Sequence, residues 1–198
     1  MKHLMRLLAA VLCTAPLLSG CNTTNGVGHR NPDFSDYQMG RIAIDVQPRN
    51  DVSDMVEAQL VDALNRRGVK AYKTSDITRF AKDWPEAAKK IAARGGKELM
   101  VVVLGDGRSA AVAGYNASAY TTGNTTYATA TPMVANFRDL EANAVIYVPG
   151  PNGGDAQVAV QVDAKRHAGG LVFTRDSSMA ANIADGIIEG LDTAGAFP

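Results

Sequence analysis

Side chains able to do covalent or acid–base chemistry are sparse in this sequence. It has two cysteines, Cys13 and Cys21, and three histidines, His3, His29 and His167. A metal or thiolate site needs such groups at ligand spacing or beside an orienting base. His29 and His167 stand at no such spacing, and each is expected to be a solvated surface ring. The patterns G-x-S-x-G, H-E-x-x-H and the Walker loop are missing. Gly105-Asp106-Gly107-Arg108-Ser109 comes nearest to a phosphate loop. No helical pattern follows it to aim backbone N–H groups at an anion, and Asp106 would repel one, so it predicts a plain turn leaving a strand. Asp45 and Asp163 fall in strand-like segments and Glu57 on a helix-like one, all expected on solvent faces. No catalytic residue, cofactor or metal ligand is assigned, and the chain is expected not to be an enzyme.

The N-terminus carries a more specific signal. Residues 1–20 hold Lys2, His3 and Arg6, no acid, and an apolar stretch from Leu7 to Leu18 broken by Thr14 and Pro16. That is the layout of a secretory signal, and it is shorter than the roughly 20 apolar residues a spanning helix needs. Leu18-Ser19-Gly20-Cys21 resembles the lipobox of bacterial lipoproteins. The resemblance implies removal of residues 1–20, acylation of Cys21 on sulfur, and a lipid bilayer held through that residue. Cys13 would leave with the signal, so no free thiol would remain. Asn22, where Asp is absent, implies by the same resemblance sorting to the outer membrane, with the body facing the periplasm. Loss of Lys2 and Arg6 leaves 18 basic residues against 20 acidic ones. No polybasic patch would assist the anchor, and one acyl chain alone binds only marginally, so several are implied.

Over the whole chain 20 Lys+Arg balance 20 Asp+Glu, which removes the footprint of a nucleic-acid binder. At 46% hydrophobic residues the chain is too apolar to be wholly disordered. Residues 21–38, rich in Asn, Gly, Pro and Ser, predict a flexible tether. Residues 39–198 predict a single α/β domain of the α+β type, one mixed sheet with about three helices. Residues 41–47 alternate Ile42, Ile44 and Val46 as a strand. An amphipathic helix follows from an Asp51/Asp54 capping pair through Val56, Leu60 and Leu64 to Gly68, and then a short strand at 69–72. A smaller helix starts near Pro85, and residues 98–104 read as a central strand covered on both faces. Residues 141–148 and 157–163 read as an antiparallel pair joined by the turn sequence at 149–154. A last helix capped by Asp176 or Ser177 puts Met179, Ile183 and Ile187 on one stripe. The core is expected on Ile42, Ile44, Leu60, Leu64, Val101, Val103, Ile183 and Ile187.

Residues 111–134 are dominated by Thr, Tyr, Ala and Asn, and residues 114–132 carry no charge. A Gly123-Asn124 turn predicts a hairpin in which Thr122 faces Thr125, Tyr120 faces Tyr127 and Ala119 faces Ala128. One face would then be lined by alanines able to approach another element closely, the other by Tyr and Thr. Tyrosine gives large contact area at low rotamer cost, so Tyr115, Tyr120 and Tyr127 are the candidate partner-binding residues. A disordered low-complexity loop is the competing reading.

The order of a strand at 41–47, a helix with Val56, Leu60 and Leu64, a glycine, a short strand and Ser75-Asp76-Ile77 resembles a group of exported bacterial lipoproteins. Their domains are related to the curli secretion component and to outer-membrane activators of penicillin-binding proteins. The second half of the resemblance rests on the strand ending at Asp163 and on Gly169-Gly170-Leu171-Val172-Phe173 before the last helix. Phe173 stands where tryptophan is frequent, and the Tyr/Thr hairpin is a departure from the pattern. The chain is expected to be a membrane-anchored, periplasm-facing accessory that binds another envelope protein and catalyses nothing, with a homo-oligomer as a further expectation. Rival expectations are a subunit of an oligomeric secretion pore, in which the hairpin crosses the membrane as two strands, and an envelope hydrolase.

Overall fold

The computed structural model describes residues 23–122, 125–149, 155–170 and 175–198. Cys21, the Gly123-Asn124 turn, most of the turn at 149–154 and residues 171–174 lie outside the described residues. Six strands form one mixed sheet: β1 (Thr23–Arg30), β2 (Arg41–Gln47), β3 (Lys70–Lys73), β4 (Glu98–Thr122), β5 (Thr125–Val148) and β6 (Gln157–Gly170), in the order β1-β6-β5-β4-β2-β3. Four helices accompany them: α1 (Asp51–Arg66), α2 (Ser75–Thr78), α3 (Trp84–Ala93) and α4 (Asp176–Thr193). By internal contacts the described residues fall into two compact units. One comprises Thr23, residues within Gly107–Asp139 and residues 167–170; the other comprises Thr24–Asp106, the described part of Leu140–Arg166 and Arg175–Pro198.

In the larger unit β2 pairs in parallel with both β3 and β4, Ile42 lying opposite Ala71 on one side and Glu98 on the other. Strand β2 is buried from Ile42 through Val46, so this strand, and not 98–104, is the one covered on both faces. Strand β4 buries Met100, Val102 and Leu104, while Val101 is half-buried and Val103 is 53% exposed. The alternation of a sheet with one open face explains the difference: in β4 only even positions reach the core. The other expected core residues, Ile42, Ile44, Leu60, Leu64, Ile183 and Ile187, are fully buried.

Helix α1 starts where Asn50, rather than the expected Asp51, accepts a hydrogen bond from the Ser53 amide at 3.0 Å. It ends at Gly68, whose φ of 86° is the left-handed conformation glycine adopts without strain. Helix α1 packs on β2, β3 and α4. The α1–α4 contact is tied by an Arg67–Asp192 ion pair at 2.9 Å and by Arg67 lying 4.6 Å over the Phe197 ring. Ile77 of α2 and Ile91 of α3 pack on Ala43, with Tyr72 and Leu99 beside them.

Strand β1 corrects the expectation of a flexible tether over 21–38. Gly26 and Gly28, two apart on the strand, meet Gly186 and Gly190, four apart on α4, and a Cβ on either strand glycine would land on a carbonyl oxygen of the helix. Arg30 then donates from Nε to Ala194 O at 2.8 Å and from its guanidinium to Gly195 O, satisfying the carbonyl end of α4. After β1 the backbone also stays ordered by contact: Asn31 N donates to Ala159 O at 2.9 Å, and Pro32–Phe34 form a 3-10 turn.

The expected turn at Gly105–Ser109 is also absent. Neither Gly105 nor Gly107 adopts positive φ, and both continue β4. A Cβ built on Gly105 would sit 4.0 Å from Cβ of Glu141 on β5, and one on Gly107 would sit 3.8 Å from Cβ of Asp139. Pairing with β5 thus outweighs the turn preference of the glycines.

Candidate functional site

Ser109 to Phe137 contains no Asp, Glu, Lys or Arg, and this run forms the distal parts of β4 and β5. The hydroxyls of Ser118 and Thr129 approach to 2.8 Å across the two strands, the pairing the Tyr120–Tyr127 register requires. The expected ribbon is therefore present and the disordered-loop reading is not. Its alanine face, however, is not an inner face. Ala113, Ala117, Ala119, Ala128 and Ala130 are exposed, as is Ser118 on the opposite side, so among the described residues nothing covers either face. Val112, Tyr115 and Val134 are 56%, 65% and 48% exposed. Tyr120 and Tyr127 lie in β4 and β5, but their side chains are outside the description.

Among the described residues no further strand flanks the ribbon past the ends of β2 and β6, and residues 171–174, which follow β6, lie outside them. On one side β2 ends at Gln47, paired with Val103, and on the other β6 ends at Gly170, one residue past Gly169, which lies under the Phe137 ring. Past those points, among the described residues, β4 and β5 pair only with each other. A two-stranded ribbon with both faces in water is marginal by itself, and unpaired strand edges are templates for further pairing.

His167 is not the free surface ring expected from its neighbours in sequence. Its Nδ1 lies 2.6 Å from Asp139 Oδ1, and its ring stacks on Phe137 with centroids 5.9 Å apart. Strand pairing supplies both partners from β5, which local spacing could not reveal. His29 is exposed, as expected.

Asp45 and Glu57 likewise overturn the solvent-face expectation, since they are 4% and 0% exposed, whereas Asp163 is exposed. The two buried carboxylates converge beyond the carboxyl ends of β2 and β3. Arg49 bridges them, contacting Asp45 Oδ1 and, at 3.2 Å, Glu57 Oε1. Thr74 donates to Asp45 at 2.8 Å, the Ser75 hydroxyl donates to Glu57, and Gln47 donates to Asp45 at 2.7 Å. A cleft of about 360 Å³ opens outside, lined by Arg49, Asn50, Asp51, Asp54, Ser75 and Arg79. Carboxyl ends of parallel strands are where open α/β sheets place ligands. Here the hydroxyls of Thr74 and Ser75 already donate to carboxylates, and the arrangement locks the ends of β2 and β3 to α1. The signal for Asp45 was its place among four apolar residues of a doubly covered strand.

Elsewhere, Tyr37 donates to Glu98 at 2.8 Å, and burial pushes the Glu98 carboxyl above its ordinary value against the lowering effect of the bonds from Tyr37 and the Gly40 amide. The Tyr37 hydroxyl is pushed far up, first by burial and then by the charge of Glu98. Among the described residues no group of three or more His, Cys, Asp or Glu converges as a metal site, and no helix is long and apolar enough to cross a membrane.

No protein-family model matches the chain, and no curated protein matches it. Among solved structures it is similar to a PelC dodecamer from Paraburkholderia phytofirmans, at 13% identity and a TM-score of 0.44, over 90% of this chain and 99% of that one. A DUF4136 family protein from Bacteroides thetaiotaomicron matches at 10% identity and a TM-score of 0.35, over 89% of this chain and 96% of that one. A PDZ domain protein from Parabacteroides distasonis matches at 8% identity and a TM-score of 0.35; the chain covers 37% of its length. The fold described above stands on the chain's own elements.

Proposed function

We propose that this chain is a lipoprotein of the bacterial envelope, held in the outer membrane by an acylated Cys21 and facing the periplasm, that works by binding and catalyses nothing. The observation that carries this reading is the run at 109–137, which holds no charged residue and in which residues 109–113, 115–119, 128–132 and Val134 are exposed. A surface built this way is one for contact: Tyr115, 65% exposed, offers rigid area, Tyr120 and Tyr127 are proposed to join it, and the run holds no charged group to be desolvated. The lipobox resemblance supplies the compartment.

The edge of β4 past Val103, where no strand pairs with it from the β2 side among the described residues, favours a second reading, self-assembly into a ring in which ribbons of successive copies pair edge to edge. Such closure would remove the edges, and it is the form in which strands can cross a bilayer. In that case the chain would be a pore subunit.

A photo-crosslinking side chain at Tyr115 in intact cells tests the common ground of both readings. Adducts to an envelope component or to a second copy are expected from Tyr115 and none from Gln161, an exposed position of the larger unit. Adducts from Gln161 alone would place the working surface elsewhere.

A further inference from the structure

We infer that Arg166 is the seat of a phosphate group, bound on the side of strand β6 that faces helix α4. The deciding feature is a buried charge without a counter-charge. Arg166 is only 8% exposed, and its Nη1 donates to the Thr24 hydroxyl at 2.8 Å. That neutral hydroxyl is its one hydrogen-bond partner among the described residues, and its buried Nε has no acceptor. A guanidinium cannot shed its proton to escape burial, and a buried ion left without its opposite charge is strongly destabilising. Nη1 is the terminal nitrogen on the Cδ side, so the bond to Thr24 leaves Nε and Nη2 free together. Those two parallel donors are the edge of the fork that grips two oxygens of one oxyanion.

The chain itself supplies no such oxyanion among the described residues. Thr24 and Arg166 both lie in the larger unit. There Val162 and Ala164 of β6 meet Gly190 and Gly186 of α4, and by alternation Arg166 continues their row. The acids beside it are held on the opposite face, where Asp163 accepts from Asn143 and Glu141 from Lys165. The same two cross-strand contacts set Leu140, itself buried, opposite Arg166. On α4, Asp185 and Glu189 are exposed and Asp192 pairs with Arg67. The counter-charge must therefore come from outside. Strand β1, which carries Thr24, is the edge of the sheet, so among the described residues a single strand flanks the guanidinium on that side. Thr24 stands three residues after Cys21, a reach of at most about 11 Å. With Cys21 acylated as proposed above, the phosphates of lipid headgroups lie nearest; free phosphate offers the same chemistry. Only the lipid source rests on that proposal, and the site does not.

Full-length protein processed in cells, delipidated in a sugar-based detergent and held in phosphate-free buffer provides the test. Inorganic phosphate is titrated at constant ionic strength, balanced with chloride, and thermal unfolding is followed. At ten times its dissociation constant phosphate should raise the wild-type Tm by about 3–6 °C. Arg166→Met, which keeps the stem and removes the charge, should show no rise, and without phosphate it should be at least as stable as the wild type. Equilibrium dialysis of the wild type against labelled inorganic phosphate needs no variant and should find one phosphate per chain. A wild type that neither shifts nor retains phosphate, equal shifts in both proteins, or a larger rise with acetate than with phosphate would overturn the inference. Reconstitution into phosphatidylethanolamine/phosphatidylglycerol vesicles names the source: headgroups in the site abolish the response to free phosphate, and a response that persists assigns the site to free phosphate. The mass of the N-terminal peptide keeps the two levels apart. An unmodified Cys21 overturns the anchor and leaves a phosphate shift standing, whereas an acylated chain without that shift overturns this inference alone.

Discussion

Arg49 is the residue on which the larger unit depends for burying two carboxylates. Breaking a buried pair by removing one partner leaves the other charge uncompensated. Arg49→Ala is therefore expected to lower stability by about 1–2 kcal/mol, the lower part of the range for hydrogen bonds to charged groups because the Arg49 side chain is 36% exposed. Thermal unfolding followed by circular dichroism checks this, and an unchanged Tm would mean the cluster is not structural. Glu98 gives a prediction in pH. Its carboxyl titrates above the ordinary 4.5 because burial disfavours the charged form. The folded chain thus holds that proton more tightly than the unfolded one, and the stability it contributes is present below about 4.5 and lost as pH rises through the raised value. Glu98→Gln keeps an acceptor for Tyr37 and removes the titration. The variant should equal the wild type below pH 4.5 and exceed it at pH 7 in a Tm-against-pH series; a variant less stable at pH 7 would contradict the burial argument. None of these contacts was legible in sequence: Asp45 lies in a strand, where i, i+4 spacing to Arg49 predicts no contact, and Thr74 and Glu57 join it only through the folding of β3 and α1 beside β2. The His167–Asp139 contact is of the same kind, made by two strands 28 positions apart.

Strand β1 shows how an element can be hidden by its composition. Residues 23–30 are polar and rich in Asn, Thr and Gly, which reads as linker because few side chains could bury apolar area. The strand is held instead by backbone approach, with glycines on both partners. Gly26→Ala and Gly28→Ala, which force a Cβ onto a helix carbonyl, should each cost about 1–3 kcal/mol, the usual range for overpacking. For a chain of this size that lowers Tm by roughly 2–4 °C per kcal/mol. Full retention of Tm would show that β1 is not packed on α4. Helices α1, α3 and α4 were legible because glycine stops and 3.6-residue stripes are local signals, but the caps of α1 and α4 were not: Asn50 caps α1, and α4 follows Arg175 with no side-chain cap bond where Asp176 or Ser177 was expected. The lengths of β4 and β5 were not, since Gly105 and Gly107 carry turn chemistry that only cross-strand pairing overrides.

For the molecule as a whole, the proposed function divides labour: the buried core of the larger unit supplies stability and the uncharged run at 109–137 is proposed to do the binding. Cys21→Ala should release the processed protein from the membrane fraction, because no helix among the described residues can span and the mature charge is slightly negative. Membrane retention of that variant, shown by fractionation, would put the anchor elsewhere. The composition of the ribbon was legible in the sequence, whereas the exposure of its alanines was not, since an alanine stripe looks the same whether or not an element packs on it. The most direct test of the central claim deletes residues 117–130 and closes β4 to β5 with a short turn. The account predicts a cooperative thermal transition close to that of the full chain, together with loss of the adducts formed from Tyr115. A deleted chain that no longer unfolds cooperatively would make the ribbon part of the core, and a folded deleted chain that still forms those adducts would contradict the claim that the ribbon is the binding element.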